Sequence, residues 1–105
     1  MIYRVTARYI ADKAPDFYRK LTDGTIKNQR PDGQEILKSM ERAKISHTGT
    51  VEWYETCYCP TPLAHERSTV YDSYLTEINA VEVDDYGTSE GRSFWSYLQK
   101  VSAPG

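Results

Sequence analysis

No stretch of this chain approaches the roughly 18 consecutive apolar residues of a membrane-spanning helix, which argues against a helical membrane protein. The opening Met1-Ile2-Tyr3-Arg4-Val5-Thr6-Ala7-Arg8 alternates and is broken by arginines. It therefore lacks the apolar centre of a signal peptide, and a cytoplasmic location is expected. An excess of positive charge is also missing: 13 Lys and Arg are scattered among 15 Asp and Glu, for a net charge of -2. Nucleic-acid binders draw affinity from a clustered basic surface, so no nucleic-acid partner is expected. The nine tyrosines do not fall into an RNP-like pattern. Cysteine is scarce, at two residues without Cys-x-x-Cys spacing, which argues against a disulfide framework and for reduced thiols. Repeats and low-complexity tracts are absent. What is present is 105 residues, 39% of them apolar. That suffices for one domain, 1–105, with a core that needs no staples.

Periodicity divides the chain into elements. Residues 1–10 place Met1, Tyr3, Val5, Ala7 and Tyr9 on one face and Ile2, Arg4, Thr6 and Arg8 on the other, as in a half-buried antiparallel strand. Asp12 can cap a short helix that tolerates Pro15 in its first turn, lines up Phe17, Tyr18 and Leu21, and stops at Gly24. A polar connection over 25–34 contains a Pro-Asp-Gly turn. Residues 35–45 read two ways. Ile36, Leu37, Met40 and Ala43 form a helical stripe, yet the loop Ser46-His47-Thr48-Gly49 before a definite strand reads as a hairpin turn. Residues 50–59 form that strand. Thr61 and Pro62 suit the N-cap and first position of a helix carrying Leu63, Val70, Tyr71 and Tyr74. Over 76–83 the pattern returns to strand, and a change of phase between Ile78, Ala80 and Val81, Val83 predicts either a bulge or an indefinite start to the strand. Asp84-Asp85-Tyr86-Gly87 turns the chain. Ser89 can cap a last helix with Phe94, Trp95, Leu98 and Val101 buried. The tail Ser102-Ala103-Pro104-Gly105 is expected to fray.

With 35–45 as a strand, the order matches the α+β, ferredoxin-like βαββαβ plan plus a C-terminal helix. Helices would then lie mainly on one face of an antiparallel sheet. A homodimer is the simplest way to bury the other face. The run Val70-Tyr71-Asp72-Ser73-Tyr74, followed by Val81-Glu82-Val83-Asp84-Asp85-Tyr86, resembles YCII-like members of the dimeric α+β barrel superfamily. There a helix ends in Asp-Pro-Tyr/Phe before a Val-x-Val strand closed by an aromatic, and Ser73 stands at the proline's place. The resemblance implies a back-to-back sheet dimer with a cleft between sheet and helices. Of that family's histidine–aspartate pair, only Asp72 has a counterpart here.

The most specific stretch is Trp53-Tyr54-Glu55-Thr56-Cys57-Tyr58-Cys59-Pro60-Thr61-Pro62, with His65 close behind. Strand alternation directs Trp53, Glu55, Cys57 and Cys59 to one face. A carboxylate among apolar neighbours has its charged form disfavoured, which suits acid–base work, so Glu55, His65 and Asp72 are the candidate catalytic residues. The plainer reading of Glu55 is a structural carboxylate paired with Arg4, Arg8 or Arg67. Cys59 before a helix start could be an activated thiol. The plainer reading of both cysteines is as small buried hydrophobes. His47, Cys57, Cys59 and His65 make a Cys2His2 set, but their spacing fits no common zinc site. Extended i and i+2 side chains also stand about 6–7 Å apart. No metal and no cofactor is expected. Trp53, Cys57, Cys59, Tyr71 and Tyr74 are candidates to line a ligand cleft. Small-molecule binding or sensing is the leading expectation. A cofactor-independent enzyme of the dimeric-barrel type and a structural interaction protein are the alternatives.

Overall fold

The computed structural model describes residues 1–103. It runs β1 (Ile2–Tyr9), α1 (Ala14–Thr22), α2 (Gly33–Arg42), β2 (Lys44–Ile45) and β3 (Thr50–Thr56). A broken helix, α3, follows over 64–74, built from Ala64–Glu66, a wide π-wound turn Arg67–Tyr71, and Asp72–Tyr74. The chain then forms β4 (Leu75–Val83), β5 (Arg92–Ser93) and α4 (Phe94–Ser102). No helix among the described residues is long and apolar enough to cross a membrane. Pro104 and Gly105 of the expected frayed tail lie outside the described residues.

The strands form one five-stranded antiparallel sheet in the order β4-β1-β3-β2-β5. This α+β arrangement is compatible with a ferredoxin-like plan. Alternation decides which face is covered. Tyr3, Val5 and Ala7 of β1 and Val51, Trp53 and Glu55 of β3 are buried, whereas Arg4 and Arg8 are exposed. Helical stripes close over that buried face. Ala14, Phe17 and Leu21 of α1, Ile36 and Met40 of α2, and Phe94 and Leu98 of α4 join one core cluster with the strands. Tyr18 packs edge-on against Trp95, joining α1 to α4. The open face carries Arg4, Thr6, Arg8 and Glu52, with Arg4 and Glu52 paired at 3.1 Å.

Several expectations change in detail. Both readings of 35–45 hold in part, since the stripe winds a helix to Arg42 and only Lys44–Ile45 join the sheet. The strand expected over 50–59 ends at Thr56. Helix α3 opens at Ala64, not at Pro62. Thr61 contributes only its carbonyl, which accepts from the Ala64 N–H at 3.1 Å, and fully buried Leu63 turns left-handed at φ 59°. Asp12 caps nothing: a single tight turn at Ala11–Lys13 leads into α1. Ser93 instead of Ser89 caps α4, accepting from the Ser96 N–H at 3.1 Å. Val101 points to solvent. β4 does carry a bulge, but ahead of the expected place: Thr6 pairs with Asn79 and Arg8 with Thr76, and Glu77 takes φ 53°. Ala80 and Val81 pair regularly with Val5 and Arg4 and simply face opposite sides of the sheet.

Gly33 fixes where α2 begins. A Cβ there would stand 2.0 Å from the Ile26 carbonyl oxygen, a distance no side chain tolerates. Ile26 is itself buried, so the connection over 25–34 is pinned to the core just ahead of Asp32 and Glu35. Gly33→Ala should therefore cost about 1–3 kcal/mol through forced overpacking, read as a lower urea midpoint. An unchanged midpoint would show that the contact relaxes freely.

Candidate functional site

At the end of β3 the Cys57 N–H still donates to the Met1 carbonyl at 2.9 Å, and then the chain leaves the ladder. It doubles back so tightly that the Cys59 N–H donates to the Cys57 sulfur at 3.3 Å. The two sulfurs are therefore not held at strand spacing. The left-handed step at Leu63 then returns the chain over the sheet, and Glu66, only 2% exposed, arrives above both thiols. Its Oε1 accepts from Cys57 Sγ at 3.6 Å and from Cys59 Sγ at 3.4 Å. The wide turn Arg67–Tyr71 brings the Tyr71 hydroxyl to Glu55, to whose Oε1 it donates at 2.6 Å. Trp53 Nε1 donates to the same oxygen at 2.8 Å.

Glu55 is wholly buried, and its Oε2 has no donor. Desolvation pushes its pKa up to about 8, against the opposing hydrogen bonds from Tyr71 and Trp53. The Glu66 side chain lies within hydrogen-bonding reach and raises the value further. Two carboxylates can only accept, so this contact becomes a hydrogen bond when one of the pair holds a proton. Burial and Glu55 together keep Tyr71 a phenol well above its usual range, so it stays a donor. Burial also pushes the Cys57 thiol up to about 12, which makes it a poor nucleophile at neutral pH. The helix expected to open beside Cys59 begins only at Ala64, and what it sets against that sulfur is the Glu66 carboxylate at 3.4 Å.

A second pair flanks these groups. Asp32 precedes α2 without capping it. Its Oδ1 accepts from Gln29 Nε2 at 3.1 Å, and its Oδ2 meets His65 Nδ1 at 2.5 Å. That bond assigns the Nδ1 proton to the shared contact and leaves Nε2 as the free ring nitrogen. Asp32, His65, Glu66 and the two thiols open on one cleft of about 530 Å³, lined also by Pro31, Glu35, Thr56 and Tyr58, with Glu55 buried behind it. A groove of similar size, about 550 Å³, lies around His47 and Arg92, but no comparable cluster of acids and thiols faces it.

The structure thus brings Glu55, Cys57, Cys59 and His65 into one neighbourhood, with Trp53 and Tyr71 behind Glu55. It does not bring Asp72 or Tyr74 there. Asp72 is exposed and pairs with Arg67 at 3.1 Å. Tyr74 stacks on Phe17 and donates to Asp16 at 2.6 Å. His47 sits in the turn at the far end of β3, roughly 20–25 Å of strand from the thiols. Three lining acids, Asp32, Glu35 and Glu66, carried no signal in the sequence. Asp32 read as part of a turn, and Glu66 fell inside the expected helix without being singled out.

No family model matches the chain, and neither curated proteins nor solved structures give a match.

The raised Glu55 pKa makes a prediction about stability. An unfolded glutamate loses its proton near 4.5, whereas folded Glu55 keeps it to about 8. The native state therefore holds a proton that the unfolded chain lacks, and stability declines as pH rises through that window. Glu55→Gln keeps both acceptor contacts and offers a permanent donor to Glu66. Its melting temperature should exceed the parent's near pH 8.5, with the gap closing toward about pH 5. A gap that does not vary with pH would mean an ordinary, ionised Glu55.

Proposed function

We propose that this protein binds a small molecule bearing positive charge or several hydrogen-bond donors in the cleft between β3, α2 and α3. The observation that carries this reading is the convergence of Asp32, Glu35, Glu66 and His65 on one concavity without a lysine or arginine in its lining. Acceptors outnumber donors there, and a ligand supplying donors would complement them. Glu35 is partly committed, since its Oε2 accepts from the Thr56 N–H at 3.2 Å and lies 3.5 Å from Arg42.

One observation favours an acid–base enzyme as the second reading. The Asp32–His65 contact orients an imidazole with its free nitrogen available, the arrangement of a general base with its positioning carboxylate. In this reading His65 takes the proton and Asp32 steadies the ring, in place of the expected Glu55 and Asp72.

For the architecture we propose the ferredoxin-like plan, with β4-β1-β3-β2 as its four strands and β5 with α4 as an addition. The YCII-like likeness rests on 70–74 and 81–86 alone. A homodimer over the open face would have to use Arg4, Arg8 and Glu52, so its association should weaken as salt rises. Sedimentation showing a monomer at micromolar concentration in low salt would overturn that dimer.

Amide chemical shifts test the cleft. Small diamines and amino alcohols should perturb Asp32, Glu35, Thr56, Tyr58 and His65 together, and Asp32→Asn should weaken binding about tenfold, or 1.4 kcal/mol. Shifts that gather instead around His47 and Arg92 would overturn the assignment.

A further inference from the structure

We propose that Cys57 Sγ, Cys59 Sγ and one carboxylate oxygen of Glu66 together bind a divalent transition-metal ion, zinc by the chemistry of the donors, with a fourth position open to the cleft. The three ligand atoms lie within 4.8 Å of one another. The two sulfur–oxygen edges fit the ion. Tetrahedral zinc with Zn–S near 2.3 Å and Zn–O near 2.0–2.2 Å requires S···O edges of about 3.5 Å. Glu66 Oε1 stands 3.6 Å from Cys57 Sγ and 3.4 Å from Cys59 Sγ. A single oxygen faces both sulfurs, as a shared ion would require. Two sulfurs select a soft or borderline metal over calcium or magnesium, which prefer oxygen alone.

The surroundings supply what a ligand set needs. The Cys59 N–H already points at the Cys57 sulfur, the position from which an amide supports a metal-bound thiolate. Behind Glu66 stands Glu55, wholly buried and with Oε2 lacking any donor, where an outer carboxyl would steady the ligating one. Trp53 and Tyr71 fix Glu55 in turn. Three protein ligands leave one tetrahedral position vacant, the pattern of zinc sites that admit water or substrate. On binding, two metal–sulfur bonds and one metal–oxygen bond form, and the two thiol protons pass to solvent. No electrons are exchanged. The site shares Glu66 and the cleft with the proposed small-molecule site but uses neither Asp32 nor His65, so each can be tested without the other.

Cobalt(II) titration of the full chain, with thiols kept reduced by a phosphine, is the test. One equivalent should bind and develop sulfur-to-cobalt charge-transfer absorption, and zinc should displace it. Cys59→Ser should lose about half of that absorption, one of two thiolates, and bind at least about a hundredfold more weakly. Glu66→Gln should keep the absorption with affinity reduced at least about tenfold. His47→Ala should titrate like the parent. Absence of charge-transfer absorption at saturating cobalt overturns the proposal, and this reading on the unaltered protein needs no variant to fold. Zinc affinity equal in the parent and Cys59→Ser overturns it as well. The amide-shift experiment, run with a chelator present, then still judges the small-molecule reading separately.

Discussion

A carboxyl group with no access to water must find partners within the protein, and Glu55 finds them on two different elements. Removing an unpaired carboxylate from water costs several kcal/mol, so a core that contains one is stable only if it also delivers donors. Trp53 comes from the same strand, which makes it a local partner. Tyr71 and Glu66 come from α3, and their positions depend on how that helix lies across the sheet. The wide turn Arg67–Tyr71 gives α3 an extra residue in the turn that faces Glu55. π-wound turns of this kind commonly mark places where a side chain must be set at an angle that a regular helix does not allow. The placement of α3 thus sets the Tyr71 hydroxyl on one oxygen of this buried acid and Glu66 over the thiols at the cleft.

The elements were legible where a local period governs them. Tyr3, Val5 and Ala7 alternate with arginines, and they face the core as alternation requires. Ile36 and Met40 repeat at helical spacing and lie on the buried side of α2. The apolar residues Ile78 and Ala80 against Val81 and Val83 read as a slip of phase, but Ala80 and Val81 pair regularly with Val5 and Arg4. The bulge lies earlier, at Glu77, where the pattern carries no apolar residue to mark it. Val101 kept the helical period but is exposed, and it is the next residue, Ser102, that turns toward Pro15 and Tyr18 of α1.

The site was legible only in part, for a geometric reason. Cys57-Tyr58-Cys59 continues the alternation of β3, so nothing in its pattern announces that pairing stops at Thr56. A separation of about 6–7 Å between i and i+2 side chains holds only for an extended backbone, and past Thr56 the chain doubles back instead. Asp32 and His65, or Glu66 and the thiols, meet across loops whose paths depend on Gly33 and on the left-handed Leu63. Such meetings have no periodic signature. The same holds for Asp72 and Tyr74, whose types suited a cleft but whose helix faces point to Arg67 and to α1.

Both borders of the sheet are poorly suited to receive another chain. β5 is a stub of two residues, and β4 is bent by its bulge, with Glu77 and Glu82 exposed along it. Long, straight, apolar borders are what recruit foreign strands into fibrils. A sheet that ends in a short stub on one side and a bulged, acidic margin on the other gives a foreign strand little to pair with, and of the nine tyrosines only Tyr58 and Tyr86 stand exposed.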